Sequence, residues 1–319
     1  VFAHSCVVCA SGQYQASTGT TVCLACPAGN IQGSSGQTAC VACQGGQYQP
    51  ATGQPECVKC LSGHYQDGTS ATDCKTCPSG QHQESSAQTS CKACPEGQIS
   101  SSTAKVCHGC AEGKFQASTG TDACDDCPAG TFVSGTGAAV CVDCAPGTFN
   151  PDSGRWMRQH CQKCAAGKYQ GATAATGACT DCPVGKFLTD VGRDAETDCV
   201  ECPKGKYQDG TGATGCIFCP VGTTQSLTGQ TGVGTCLGCP VGTFKSTRGA
   251  TSCENCPAGK FKASSSQDDG TDCADCVAGQ YQPLPGSTSC VDCPEGKFKD
   301  VAAQELELSC LACASGQYQ

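Results

Sequence analysis

One phrase recurs along the whole chain. A Cys-x-x-Cys pair is followed by a glycine three residues after its second cysteine and an aromatic two residues later. A polar, glycine-rich stretch then leads to the next pair. Eighteen such pairs run from Cys6/Cys9 to Cys310/Cys313 and use all 36 cysteines. A period this short and strict marks a repeat array and outweighs any local propensity.

A chain of 319 residues would ordinarily suggest about two globular domains. The cysteine content argues otherwise, since it exceeds the ~8–10% that marks a disulfide scaffold. Much of the 38% apolar content is Cys and Ala, and there is one Met and one Trp. Cross-links must therefore stand in for a large aliphatic core. The net charge of −9 disfavours nucleic acid as a partner, because that role asks for basic patches. No apolar run approaches the ~20 residues of a membrane span. Asn30, Asn150 and Asn255 start no Asn-x-Ser/Thr acceptor. The many loop Ser and Thr residues leave O-linked sugar as an expectation.

Up to Cys141 the first cysteines of the pairs step by 17, with a single step of 16. From Cys179 steps of 20 and 17 alternate. Residues 1–160 thus read as regular 17-residue repeats, and residues 161–319 as a 37-residue two-repeat rhythm, in one continuous array. The chain opens and closes on the same Cys-Ala-Ser-Gly-Gln-Tyr-Gln phrase, so it reads as a piece of a longer array. Glycine holds its position in all eighteen repeats, from Gly12 to Gly316. That implies a positive φ or a close backbone approach. The aromatic position is Tyr or Phe in fourteen repeats; the exceptions are Ile31, His82, Ile99 and Thr224. It is expected to form the small core of each repeat, packed on a neighbouring disulfide or on the next aromatic. The pattern predicts an extended segment at Tyr-Gln, a turn such as Ser17-Thr18-Gly19, and a return strand into Cys23. Helix is disfavoured by the abundant glycine and the missing 3.6-residue period.

The run Cys256-Pro257-Ala258-Gly259-Lys260-Phe261, continuing to Cys273-Ala274-Asp275-Cys276, resembles the cysteine-rich repeats of ephrin-receptor-like ectodomains. It is also similar to the first loop module of tumour-necrosis-factor-receptor-like domains. The resemblance covers the whole chain. Such receptor domains usually add a second module with other cysteine spacings, which this chain never does. The fold class implied is small and disulfide-rich, mostly irregular with short β-hairpins, set out as an elongated linear repeat array.

Composition and resemblance together favour disulfides. Zinc is the rival, since Cys-x2-Cys-x13-Cys-x2-Cys is close to ribbon spacing, but the five His do not fall at ligand spacing. Redox catalysis would need one reactive pair rather than eighteen equivalents. Connectivity stays open between two schemes. In an extended Cys-x-x-Cys the two side chains point to opposite faces, so the second Cys of each pair would join the first of the next. This leading scheme gives Cys9–Cys23, Cys26–Cys40, Cys43–Cys57, Cys60–Cys74, Cys77–Cys91, Cys94–Cys107, Cys110–Cys124, Cys127–Cys141 and Cys144–Cys161. It continues with Cys164–Cys179, Cys182–Cys199, Cys202–Cys216, Cys219–Cys236, Cys239–Cys253, Cys256–Cys273, Cys276–Cys290 and Cys293–Cys310, leaving Cys6 and Cys313 for outside neighbours. The rival joins first to first and second to second in nine blocks of four, as in Cys6–Cys23 with Cys9–Cys26.

No catalytic constellation is visible, and no enzyme or cofactor is expected. Asp268-Asp269-Gly270-Thr271-Asp272 reads as a solvated hairpin tip, because it lacks the alternation and distal Glu of a calcium loop. Arg155, Trp156 and Arg158 lie in the first lengthened loop. They form either a contact hot spot or a Trp folded over its own hairpin. His64 and His82 are expected to pack at the aromatic phase. The function expected is an extracellular structural one, a rod, stalk or fibre component, secreted or at the cell surface, that self-associates into a fibre or longer array. The alternative is a receptor or adhesion ectodomain that binds a protein or glycan. If the bridges stand in for a core, a reductant collapses the thermal transition while a chelator leaves it unmoved. Each ~15-residue loop is worth about 3 kcal/mol. Calorimetry with each reagent checks this.

Overall fold

The computed structural model describes residues 6–265, 273–315 and 317. The Asp268–Asp272 stretch and Tyr318 lie outside the described residues. The chain divides into two compact units, Val1–Cys144 with Asn150–Cys161, and Ala145–Phe149 with Gln162–Gln319. Both are built from one hairpin, repeated.

In the first repeat, β1 (Gln13–Tyr14) pairs antiparallel with β2 (Leu24–Ala25), setting Gln13 opposite Ala25 and Tyr14 opposite Leu24. Seventeen such two-residue pairings occur among the described residues. The return strand is therefore not the segment running into Cys23, as the pattern had implied. It is the x-x inside the next Cys-x-x-Cys. The turn into β1 explains the invariant glycine phase. Gln13 N–H donates to Ala10 C=O at 3.0 Å, and Gly12 sits at the third turn position with φ 83°. A type II turn needs that conformation there.

Among the described residues seventeen disulfides join the second cysteine of each pair to the first of the next, from Cys9–Cys23 to Cys293–Cys310, with Cα–Cα distances of 5.6–5.8 Å. Cys6 and Cys313 remain free thiols. The second cysteines, such as Cys26, Cys60 and Cys182, are the most buried residues of their repeats.

Inside each unit, repeats lock to the next two along the chain. Gly12 N–H donates to Gln32 C=O (2.7 Å) and Gln15 N–H to Gln37 C=O (3.1 Å), both in the following repeat. The tip residue Gly36 N–H returns to Cys9 C=O (2.8 Å). One repeat further on, a Cβ placed on Gly12 would lie 2.0 Å from the carbonyl oxygen of the next tip, Gly53. The same tip position takes positive φ when occupied by Ser70, Ala87, Thr103, Ala174 or Ala303. Tip geometry is thus imposed by the stack and not by glycine alone.

A further sequence expectation needs correction. The aromatics are not the core. Tyr14, Tyr48, Tyr65 and Phe115 are only half-buried, while the cysteine that opens each loop and most of the glutamines after the aromatic, such as Gln32, Gln49, Gln66 and Gln83, are buried. That glutamine works inside its own loop. Its amide nitrogen donates to the residue before the closing cysteine, as from Gln83 to Ser90 C=O at 2.8 Å. Its oxygen accepts from Ser85 N–H at 3.1 Å. Gln32, Gln49, Gln66 and Gln208 make the same two bonds, as internal staples of loops that lack a longer ladder.

The three-residue insertions appear as single 3-10 turns directly before the closing cysteine: Arg158–His160, Glu196–Asp198, Val233–Thr235 and Glu307–Ser309. Three residues are one 3-10 turn, so the loop lengthens without displacing its cysteine.

Two substitutions separate these constraints. Gly80→Ala puts a Cβ 2.0 Å from Gly120 O at φ 81°. Its expected cost is about 3 kcal/mol or more. Gly19→Ala, at φ 75° with nothing within 4 Å among the described residues, should lose only the ~1 kcal/mol of a left-handed alanine. Denaturant titration of both measures the difference. Gln83→Ala leaves Ser90 C=O and Ser85 N–H unpaired and should cost about 2–3 kcal/mol. Faster amide exchange at Ser85 is the local readout.

Candidate functional site

The uniform backbone leaves one phase of each hairpin free to carry surface chemistry: the first x of Cys-x-x-Cys, opposite the aromatic. Leu24 faces Tyr14, Val41 faces Ile31, Val58 faces Tyr48 and Ile217 faces Tyr207. All four aliphatic residues are exposed. They extend the half-buried aromatics into small apolar steps that the stack does not cover.

The phase beside it carries charge. Lys114 donates to Asp126 (2.6 Å), Lys168 to Asp181 (2.5 Å), and Lys260 pairs with Asp275 at 2.8 Å, each pair directly opposite across two strands. Lys75 donates to the Asp67 carboxylate at 2.6 Å, holding Asp67 below and Lys75 above their ordinary pKa values. The Asp67 shift gives a contribution present at neutral pH that fades as acid protonates the carboxylate. Both groups are open to solvent, so it is small.

The lengthened loop before Cys161 breaks the uniformity. Trp156 is 40% exposed and meets His160 edge-on, with ring centroids 5.8 Å apart and planes at 67°. His160 Nδ1 accepts from Met157 N–H (3.2 Å), which fixes the ring at the end of the 3-10 turn. Arg155 is half-buried, its guanidinium donates to Asp152, and its C=O accepts from Val133 N–H at 3.1 Å. Arg158 is exposed, and its C=O receives Cys161 N–H at 3.0 Å. The structure therefore separates the three residues named from sequence. Trp156 and Arg158 present side chains to solvent, whereas Arg155 is tied into the loop.

At Tyr169 the aromatic packs on a neighbouring disulfide, as the sequence pattern led one to expect. Tyr169 packs on the cluster of Cys182, Cys199 and Leu188, so the ring of one repeat covers the disulfide of the next. His82 occupies the same seat over the Cys94–Cys107 bridge, with Nδ1 3.1 Å from Cys107 Sγ. His64 instead turns Nδ1 toward Ser62 O at 3.4 Å.

Seven overlapping segments of this hairpin array, residues 3–39, 29–75, 63–105, 97–139, 191–233, 227–270 and 264–305, match the family model described as tyrosine-protein kinase ephrin type A/B receptor-like. They cover well over half of the chain. The chain belongs to this family. No curated protein matches it. Ephrin-receptor-like repeats are non-catalytic modules of extracellular proteins, and the many disulfides agree with an extracellular or cell-surface setting. No helix among the described residues is long and apolar enough to cross a membrane.

Proposed function

We propose that this ephrin-receptor-like array is a structural component, a secreted or surface-attached rod, stalk or fibre element that associates with further copies. The observation that carries the reading is how each repeat spends its backbone. The N–H groups of Gly12, Gln15 and Gly36 all go to neighbouring repeats, and nearly identical units follow one another. What remains outward includes exposed aliphatics at one phase, Leu24, Val41 and Val58 in three successive repeats, a phase that Lys75, Lys92, His108 and Asp125 take in the next four. Such a surface suits association along its length better than selection of one ligand.

A receptor or adhesion role is favoured by one feature, the exposed Trp156 beside Arg158 in a loop unlike the others. Electron microscopy of native material and solution scattering of this chain separate the readings. The structural role expects filaments or bundles with an axial repeat. The radius of gyration should lie well above the about 20 Å of a compact chain of this length. Isolated particles without axial repeat, together with loss of partner binding in Trp156→Ala, would establish the receptor reading instead.

A further inference from the structure

The fifth and sixth loops of the first unit meet in an arrangement that no other described repeat shows. His82 is the only histidine at the aromatic phase, and it lies on the Cys94–Cys107 disulfide of the following repeat. Its ring nitrogen and the two sulfurs all lie within 4.8 Å of one another. Cys94 is fully buried, and His82 and Cys107 are half-buried. The loop is also the shortest, with a sequence separation of 13 where its neighbours have 14. It lacks the glutamine staple: Ser100 stands there, and its hydroxyl reaches back to Gln81 C=O at 2.9 Å rather than across its own loop. The disulfide and the short ladder of Gln98–Ile99 with His108–Gly109 are thus the ties that close this loop.

We infer that His82, Cys94 and Cys107 form a thiol-gated site for a zinc-class divalent cation, closed while the disulfide stands and formed when a dithiol reductant opens it. The reductant's thiolate attacks Cys107 Sγ, the more exposed sulfur, and Cys94 leaves as a thiolate. The reductant's second thiolate then closes its own disulfide and releases Cys107. Two electrons pass to the protein, and the dithiol is oxidised to a disulfide. Cys107 is set free beside His82, whose Nδ1 already lies 3.1 Å from its sulfur. The cation then takes both thiolates and the unprotonated ring nitrogen and releases the remaining thiol protons. With Zn–S near 2.3 Å and Zn–N near 2.0 Å, a tetrahedral site needs its ligand atoms roughly 3.5–3.8 Å apart. The cluster falls within that reach once the sulfur–sulfur bond opens. A fourth position stays free for water or an outside ligand. Histidine and thiolate donors are the set that selects zinc over calcium or magnesium.

The full chain is treated with limiting dithiol in native buffer, alkylated, and mapped by mass spectrometry. Zinc uptake is measured in parallel, and cobalt(II) serves as the optical probe. The expected result is that Cys94–Cys107 opens first and that one equivalent of zinc is held. Cobalt should show a thiolate charge-transfer band with tetrahedral d–d bands. His82→Phe, which places the array's usual aromatic at that seat and so preserves the packing, should weaken zinc binding roughly ten-fold or more. Cys94→Ser with Cys107→Ser should abolish it. The inference is overturned if other bridges open before Cys94–Cys107. Equal zinc binding in wild type and His82→Phe, or no uptake once the bridge is open, overturns it as well.

Discussion

Every repeat hangs on a cystine at its neck, because nothing else in the repeat is apolar enough to hold it. The two-residue strands contribute few ladder bonds, and isolated hairpins of this size are marginal in water. The bridge closes the loop in the unfolded chain as well as the folded one. It also brings the x-x of one pair beside the aromatic of the preceding loop and the residue before it, as Leu24–Ala25 beside Gln13–Tyr14, which is where the ladder forms. Because the two cysteines of a pair flank that strand, each strand belongs to one bridge behind and another ahead. The ladder of cross-links and the ladder of hairpins are thereby a single object.

Glycine converts this row of hairpins into a stack. At Gly80 the chain needs φ 81° for its own turn and also needs room for the carbonyl of Gly120 two repeats later. Any side chain would fail on both counts. The reward is a set of backbone hydrogen bonds between repeats, so buried N–H groups that a short hairpin would strand are paired by its neighbours. Stability in such a system is spread over many interfaces rather than lodged in one core.

Much of this was legible in the sequence, because period and glycine phase are local properties. The turn glycine and the absence of α-helix among the described residues follow from spacing alone. The family resemblance rests on the same phases and is matched over most of the chain. The role of the glutamine was not legible. A polar residue after an aromatic at strand spacing looks outward-facing, yet Gln83 is buried because the loop folds back and offers it Ser85 N–H and Ser90 C=O. Trp156 was equally undecidable, since its exposure depends on where the His160 ring lies. His82 shows the same limit most clearly. Cys107 is 25 residues away along the chain, so no ligand-spacing rule brings them together. Only the stacking of one repeat's ring on the next repeat's bridge does so.

The glutamine staple also explains where the array tolerates added length. In the standard loop it reaches the residue just before the closing cysteine, as Gln32 reaches Ala39 ahead of Cys40 at 2.7 Å. In the lengthened loop closed by Cys236, Gln225 still reaches the residue just before the cysteine, Thr235, though three more residues intervene. The first part of the loop cannot lengthen, because its turn, its strand and its tip are all engaged by other repeats. The segment between tip and closing cysteine is engaged at the residue after the tip, as at Gln37, and at its last residue, so three residues enter between these two points as one 3-10 turn. The turn closes on itself at its third residue, through His160 to Met157 N–H, Asp198 to Ala195 N–H, or Thr235 to Gly232 C=O. Insertions at this point alter the surface of a repeat while its bridge and stacking bonds keep their partners. The same segment carries Trp156, so the place where length is free is also the place where individual chemistry can be displayed.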